Sequence, residues 1–151
     1  MIGVIAVVLA LNPVAAERLL TPFVPGNVPA NELDTGDCFQ AAVGEGDGEI
    51  FLAVPVVDCA QPHQSEAYSE FAWPGDDLLY PGDDRVIGYG EEECRRRFAD
   101  FVGLDYESSR LELTYLYPTS QSWRDGDRLF LCAVSAPDGE TLEGTARNLG
   151  Q

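Results

Sequence analysis

The chain has 151 residues, with 26 acidic side chains against nine basic ones, a formal net charge of −17, and 45% apolar residues including seven Phe, six Tyr and two Trp. That apolar supply suits one packed domain and speaks against wholesale disorder, while the charge repels phosphate backbones and anionic lipid and so argues against nucleic acid as a partner. All nine basic residues are arginine, a usage expected of a GC-rich bacterial genome or an acid-loaded halophile, the paired cysteines favouring the former; the first role of the excess acid is solubility, and a cationic partner or divalent ions at a cell surface is the sharper alternative.

At the N-terminus, Ile2 to Leu11 is uncharged and apolar, and Asn12-Pro13 and Val14-Ala15-Ala16 follow it. An apolar core, a helix-ending proline and small residues before a cut after Ala16 form the pattern of a secretory leader. No Lys or Arg precedes the run, so residues 1–16 are expected to be either a signal peptide or part of a membrane anchor; about 20 apolar residues are needed to span a bilayer. Residues 17–31 hold TPFVPGNVPA at Thr21 to Ala30, a proline-rich stretch expected to be an extended linker. The folded domain is expected over 32–149.

Within it, Cys38 to Val43 and Ile50 to Cys59 read as a hairpin around the glycine-rich, acidic run Gly44 to Glu49. That run lacks the alternating aspartates that gather several oxygens on one calcium, so it reads as a solvated tip. Glu66 to Trp73 is a third strand. Pro74 to Asp84 (PGDDLLYPGDD) is a loop of two Pro-Gly-Asp-Asp turns around Leu78, Leu79 and Tyr80. A helix then runs from about Asp84, its expected cap, to Val102, with Gly103 ending it. Ile87, Cys94, Phe98 and Phe101 mark its inner face, which leaves Arg95 to Arg97 on the outer one.

Arg110 to Tyr117 alternates, placing Leu111, Leu113, Tyr115 and Tyr117 on one face, and Pro118 stops it. Trp123 to Asp127 reads as a turn, Arg128 to Ser135 as a strand, and Pro137 to Glu140 as a turn into a short last strand at Thr141 to Thr145. The fold class is α+β: a small antiparallel sheet of five or six strands with one main helix packed on it, and two disulfides.

Four cysteines behind an apolar leader imply two bridges outside the cytoplasm, and three pairings are possible. Cys38 opens the first strand and Cys59 closes the second, while Cys94 faces from helix to sheet and Cys132 sits mid-strand. Position therefore favours Cys38–Cys59 and Cys94–Cys132, each stabilising by about 3–4 kcal/mol in the chain-entropy model. A zinc site of four thiolates would need closely spaced ligand pairs, which the cysteine spacing lacks.

Catalytic signals are thin. His63, the single histidine, lies near Ser65 and Ser69 but in no nucleophile motif. It reads as a turn residue that donates to backbone or to Glu66 and fixes entry into the next strand. No catalytic residue, cofactor or metal is assigned.

Gly36-Asp37-Cys38-Phe39, Val57-Asp58-Cys59 with Pro62-His63 and Glu66, Cys94, Tyr117-Pro118, Trp123 with Gly126-Asp127-Arg128, and Leu131-Cys132-Ala133 resemble the septum-formation domain family of actinobacterial extracytoplasmic proteins. Val57-Asp58-Cys59 departs mildly from the Val-Pro-Cys common in that family. The resemblance implies an exported or membrane-anchored domain linked to division-septum or envelope proteins, with no established catalysis. The expected function is thus an extracytoplasmic, non-catalytic interaction module whose partner is a cell-envelope or division protein, or a wall component, with membrane contact only through an N-terminal anchor. Trp73 to Tyr80 is the expected contact stretch, since loop aromatics make interface anchors; the competing reading is that Trp73, Leu79 and Tyr80 cover the core. Trp123 joins His63, Glu66, Trp73 and Tyr80 as an interaction or structural candidate. The alternatives are a secreted hydrolase of envelope glycans using carboxylates or His63, and a cation or small-ligand binding protein.

Overall fold

The structure, a computed structural model, describes residues 27–40 and 53–150. The candidate leader, the first part of the proline-rich stretch and the Gly44 to Glu49 loop lie outside the described residues.

Six strands form one antiparallel sheet: β1 (Asn27–Pro29), β2 (Cys38–Phe39), β3 (Ala53–Val57), β4 (Ser65–Ala72), β5 (Glu112–Leu116) and β6 (Leu129–Ser135), in the order β1-β3-β2-β4-β6-β5. The proline-rich stretch therefore contributes its last residues to the sheet edge. β3 changes partner at Pro55: residues 53–55 pair with β1, whereas Val56 and Val57 pair with Phe39 and Cys38 of β2. A proline is tolerated at such a change of partner because it has no N–H to offer the ladder.

β6 is central and buried on both faces, as its unbroken apolar run requires. Phe130, Cys132 and Val134 face the main helix, and Leu131 and Ala133 pack on the other side with Leu33, Phe39, Val54 and Ala67. The ladder between β4 and β6 slips between Ala67 and Ser69. The slip leaves Tyr68 as the extra residue of β4, and it packs in the helix-side cluster while Ala67 packs in the other.

The helix α1 (Asp83–Val102) starts from Gly82 with no side-chain cap, and Asp83 and Asp84 lie in its first turn. Asp84 is thus not the cap; its charge sits where the helix N-terminus favours it. Gly103, at φ 84°, closes the helix in the left-handed conformation, its N–H donating to Ala99 O. The buried stripe is Val86, Gly90, Cys94, Phe98, Phe101 and Val102. Ile87 is only half-buried, because the stripe advances by four residues and Gly90 holds its second place. A Cβ at Gly90 would lie 2.9 Å from Phe130 Cδ1; helix and sheet touch there.

Both bridges form as the positions favoured: Cys38–Cys59, with Cα atoms 5.2 Å apart, and Cys94–Cys132, at 5.5 Å. Of the arginine run only Arg96 is on the exposed face; Arg95 and Arg97 are half-buried on its flanks, over the Tyr106 and Phe71 rings. Arg95 pairs with Glu91 and Glu107, and Arg96 and Arg97 both pair with Glu93.

Three local expectations are corrected. Trp123 is not in a turn but in a short helix, α2 (Ser120–Arg124), which Thr119 and Ser122 start with reciprocal side-chain to backbone hydrogen bonds. Thr141 to Thr145 is not a strand; only Leu142 bridges, to His63. The strand expected to run from Arg110 to Tyr117 is Glu112–Leu116, and Tyr117 is exposed beyond its end, since Pro118 ends the alternation there.

Candidate functional site

The two ends of β4 carry the residues of interest. At its C-terminal end the chain leaves through Trp73 into the loop 74–82. Asp77 is the knot of this loop. Its backbone carbonyl accepts from Trp123 Nε1 at 3.2 Å and from Arg128 at 3.1 Å, and its carboxylate accepts from Trp73 Nε1 at 2.9 Å. The Arg128 guanidinium lies 3.7 Å from the Trp123 ring centroid and also donates to the carbonyls of Trp123 and Asp127. Past the knot, the Tyr80 hydroxyl donates to Asp83 Oδ1 at 2.7 Å, and the Tyr80 ring meets Trp123 edge-on at 5.5 Å. Burial, then the hydrogen bond and charge of Asp83, hold that phenol above its ordinary range, so it stays a donor.

Between these fixed points Leu78 and Leu79 join none of the apolar clusters among the described residues. They are 89% and 85% exposed, the two most exposed large apolar side chains among the described residues. Their flanks are acidic: Asp76 and Asp77 before, Asp83 and Asp84 after. The two expectations for this stretch divide residue by residue. Trp73 and Tyr80 cover the core cluster of Val86, Trp123 and Phe130, whereas Leu79 covers nothing.

At the other end of β4 the turn 58–64 carries Cys59 and His63. The His63 backbone exchanges hydrogen bonds with Leu142 at 3.0 and 2.7 Å, and Gly144 N–H donates to Cys59 O at 2.7 Å, so the C-terminal segment lies across the turn. His63 is fully buried, and its Nδ1 is 2.8 Å from Gln61 O. A carbonyl only accepts, so Nδ1 carries the hydrogen and Nε2 of the neutral ring presents a lone pair. Nε2 is buried and has no hydrogen-bond partner among the described residues, an omission that typically costs about 1–3 kcal/mol.

Glu66 is also buried. Its Oε1 accepts from the Thr145 hydroxyl and its Oε2 from the Ala146 N–H, both at 2.6 Å. Of the two donor targets expected for His63, the backbone one is realised. Glu66 instead ties down the C-terminal segment, a pairing across 79 and 80 positions that local reading does not reach. A ring nitrogen of His63, a carboxylate oxygen of Glu66 and Cys38 Sγ nevertheless lie within 4.8 Å of one another. With its sulfur in the bridge, Cys38 offers no thiolate there.

The serines near His63 do not serve it. Ser65 shares a hydrogen bond of 2.9 Å with Ser135, which in turn meets Thr114 at 3.1 Å. Ser69 borders a shallow depression lined also by Tyr68, Arg97, Asp100, Phe101 and Arg147. No helix among the described residues is long and apolar enough to cross a membrane.

Together these features define a small α+β domain, stapled by two disulfides, that displays an apolar loop at one end and closes a polar cluster at the other. Residues 35–150 match the family model described as Septum formation, and the chain belongs to the septum-formation family. No curated protein and no solved structure matches it.

Proposed function

We propose that the chain is a non-catalytic, extracytoplasmic interaction module of the cell envelope or division septum, and that it grips its partner with Leu78 and Leu79. The observation that carries this reading is the braced loop: two leucines stand in solvent on a backbone fixed by Trp73, Trp123, Arg128 and Tyr80. A rigid apolar display loses little freedom on binding, which favours affinity. The two disulfides and the family membership support a site of action outside the cytoplasm. The partner surface that fits is an apolar groove rimmed by Arg or Lys, complementary to Asp76, Asp77, Asp83 and Asp84. His63 supports a non-catalytic reading, because general acid–base work needs a nitrogen that substrate reaches, and this ring has no exposed surface.

The test is a paired measurement on the disulfide-intact chain. Leu78→Ser with Leu79→Ser should leave the thermal midpoint unchanged and abolish retention of the envelope protein that the parent chain retains. Equal retention by both forms, or hydrolysis of wall fragments by the purified chain, contradicts the proposal.

A further inference from the structure

Beyond the loop, the buried corner at the start of β4 has the makings of a metal site that the disulfide masks. Three donors already converge: His63, Glu66 and Cys38, with one ligand atom from each within 4.8 Å of the others. A fourth, Cys59 Sγ, is bonded to Cys38 Sγ and lies beside that group. We propose that opening the Cys38–Cys59 bridge creates a four-coordinate site for Zn²⁺, built from two thiolates, the His63 imidazole and the Glu66 carboxylate, so that bridge and metal are alternative staples of one corner.

The donor chemistry suits zinc, which binds Cys sulfur, His nitrogen and carboxylate oxygen in tetrahedral sites. The outer shell is in place as well. A ligating histidine ordinarily donates its other ring N–H to a carbonyl or carboxylate, and His63 Nδ1 already does so to Gln61 O. That fixes the tautomer and leaves Nε2, the buried nitrogen without a partner among the described residues, as the ligand. A ligating carboxylate is hydrogen-bonded in turn; Glu66 accepts from Thr145 and Ala146, and each of its oxygens keeps a second lone pair. These hydrogen bonds hold both ligands in place in the absence of any ion.

The two bridges differ in access. Cys94 and Cys132 are fully buried, whereas Cys59 is half-exposed. Access favours attack on Cys59 first. A dithiol supplies the electrons: one of its thiolates attacks Cys59 Sγ, and Cys38 leaves as thiolate. The second thiol of the reagent then displaces Cys59 and leaves as a cyclic disulfide. The reagent is oxidised by two electrons and the bridge reduced by two. Zn²⁺ then takes both cysteines as thiolates, and any protons they carry pass to solvent.

The experiment uses the full chain, reduced with a dithiol that is then removed by desalting under argon, and titrated with Co²⁺ alone as the spectroscopic stand-in for zinc. Expected are one Co²⁺ per chain, thiolate-to-cobalt absorption in the near ultraviolet and tetrahedral bands in the visible, none of them in the oxidised chain. Zn²⁺ should bleach the spectrum. Thr145→Val, which removes a donor to Glu66 and the exposed acceptor of the Arg147 N–H, should weaken cobalt binding by roughly 10–100-fold, the range for outer-shell partners, and His63→Ala by more. Alkylation with mass mapping should find Cys38 and Cys59 open while Cys94–Cys132 stays closed.

Near-ultraviolet circular dichroism guards against loss of fold: if the reduced chain unfolds, Zn²⁺ should restore its signal. The proposal is overturned by a reduced chain that binds no cobalt, by binding indifferent to His63→Ala, by Cys94–Cys132 opening first, or by an unfolded reduced chain that zinc does not restore.

Discussion

The two ends of β4 use similar means to opposite effect. At the loop end, hydrogen bonds from Trp73, Trp123 and Arg128 converge on Asp77 and hold the backbone so that two leucines project. At the bridge end, hydrogen bonds from Thr145 and Ala146 converge on Glu66 and draw the C-terminal segment over the cluster. Most buried polar groups are paired, so each network follows from what surrounds it. Exposed Asp77 could have been solvated, and its partners instead fix a shape for display. Buried Glu66 has no such alternative, and its partners are a condition of folding.

Stability should therefore be concentrated at the bridge end and fall toward the loop tip. The largest effect is expected from Glu66→Ala, which strands the Thr145 hydroxyl and the Ala146 N–H and leaves a cavity; urea unfolding should show a loss of about 3 kcal/mol. A loss below about 1 kcal/mol would erase the contrast. Trp123→Phe keeps most of the apolar volume and removes the donor to the Asp77 carbonyl, which Arg128 still serves. It should cost about 1 kcal/mol in the same measurement. The tip comes next: Leu78→Ser with Leu79→Ser should stay within about 0.5 kcal/mol of the parent chain, as exposed substitutions do.

The smallest effect concerns charge on the helix, away from both ends. The hydrogen bond from Arg96, with further help from Arg97, holds the Glu93 carboxyl below the ordinary carboxylate range. Its folded form is thus the better acid. The stability it adds is present above the ordinary range and is lost as pH falls through the lowered value. Glu93→Gln should flatten the acid limb of a urea stability profile taken from neutral pH down to about pH 3, with a modest change at neutrality because the pairs are near the surface.

The parts of this picture set by local pattern were legible in the sequence. The strands read at 128–135 and 110–117, found at Leu129–Ser135 and Glu112–Leu116, the helix ending at Gly103 and both cysteine pairings follow from periodicity and position. What escaped depends on partners far along the chain or on signals other than apolar periodicity. β1 is three residues of a proline-rich stretch, and its strand character comes from pairing with β3. Gly90 is silent in an apolar periodicity because glycine adds no apolar weight, although its lack of a Cβ is what lets helix and sheet meet. The α2 helix had a visible start, Thr119 with Ser122 three residues on, but Gly126-Asp127 drew the reading toward a turn. At the candidate site, Trp73 to Tyr80 was recognisable as a stretch. Which of its residues point out was not, since that depends on the backbone carbonyl of Asp77 and its ties to Trp123 and Arg128. Glu66 carried no local sign of its partners at 145 and 146.

The central claim is that the braced loop is the binding surface, and site-specific photo-crosslinking in the envelope tests it most directly. A photoreactive residue would replace Leu78, Leu79 or, as controls, Leu129 and Leu149, which are 52% and 38% exposed. The account predicts one discrete protein adduct from positions 78 and 79 and none from 129 or 149. An adduct from the control positions alone would contradict it.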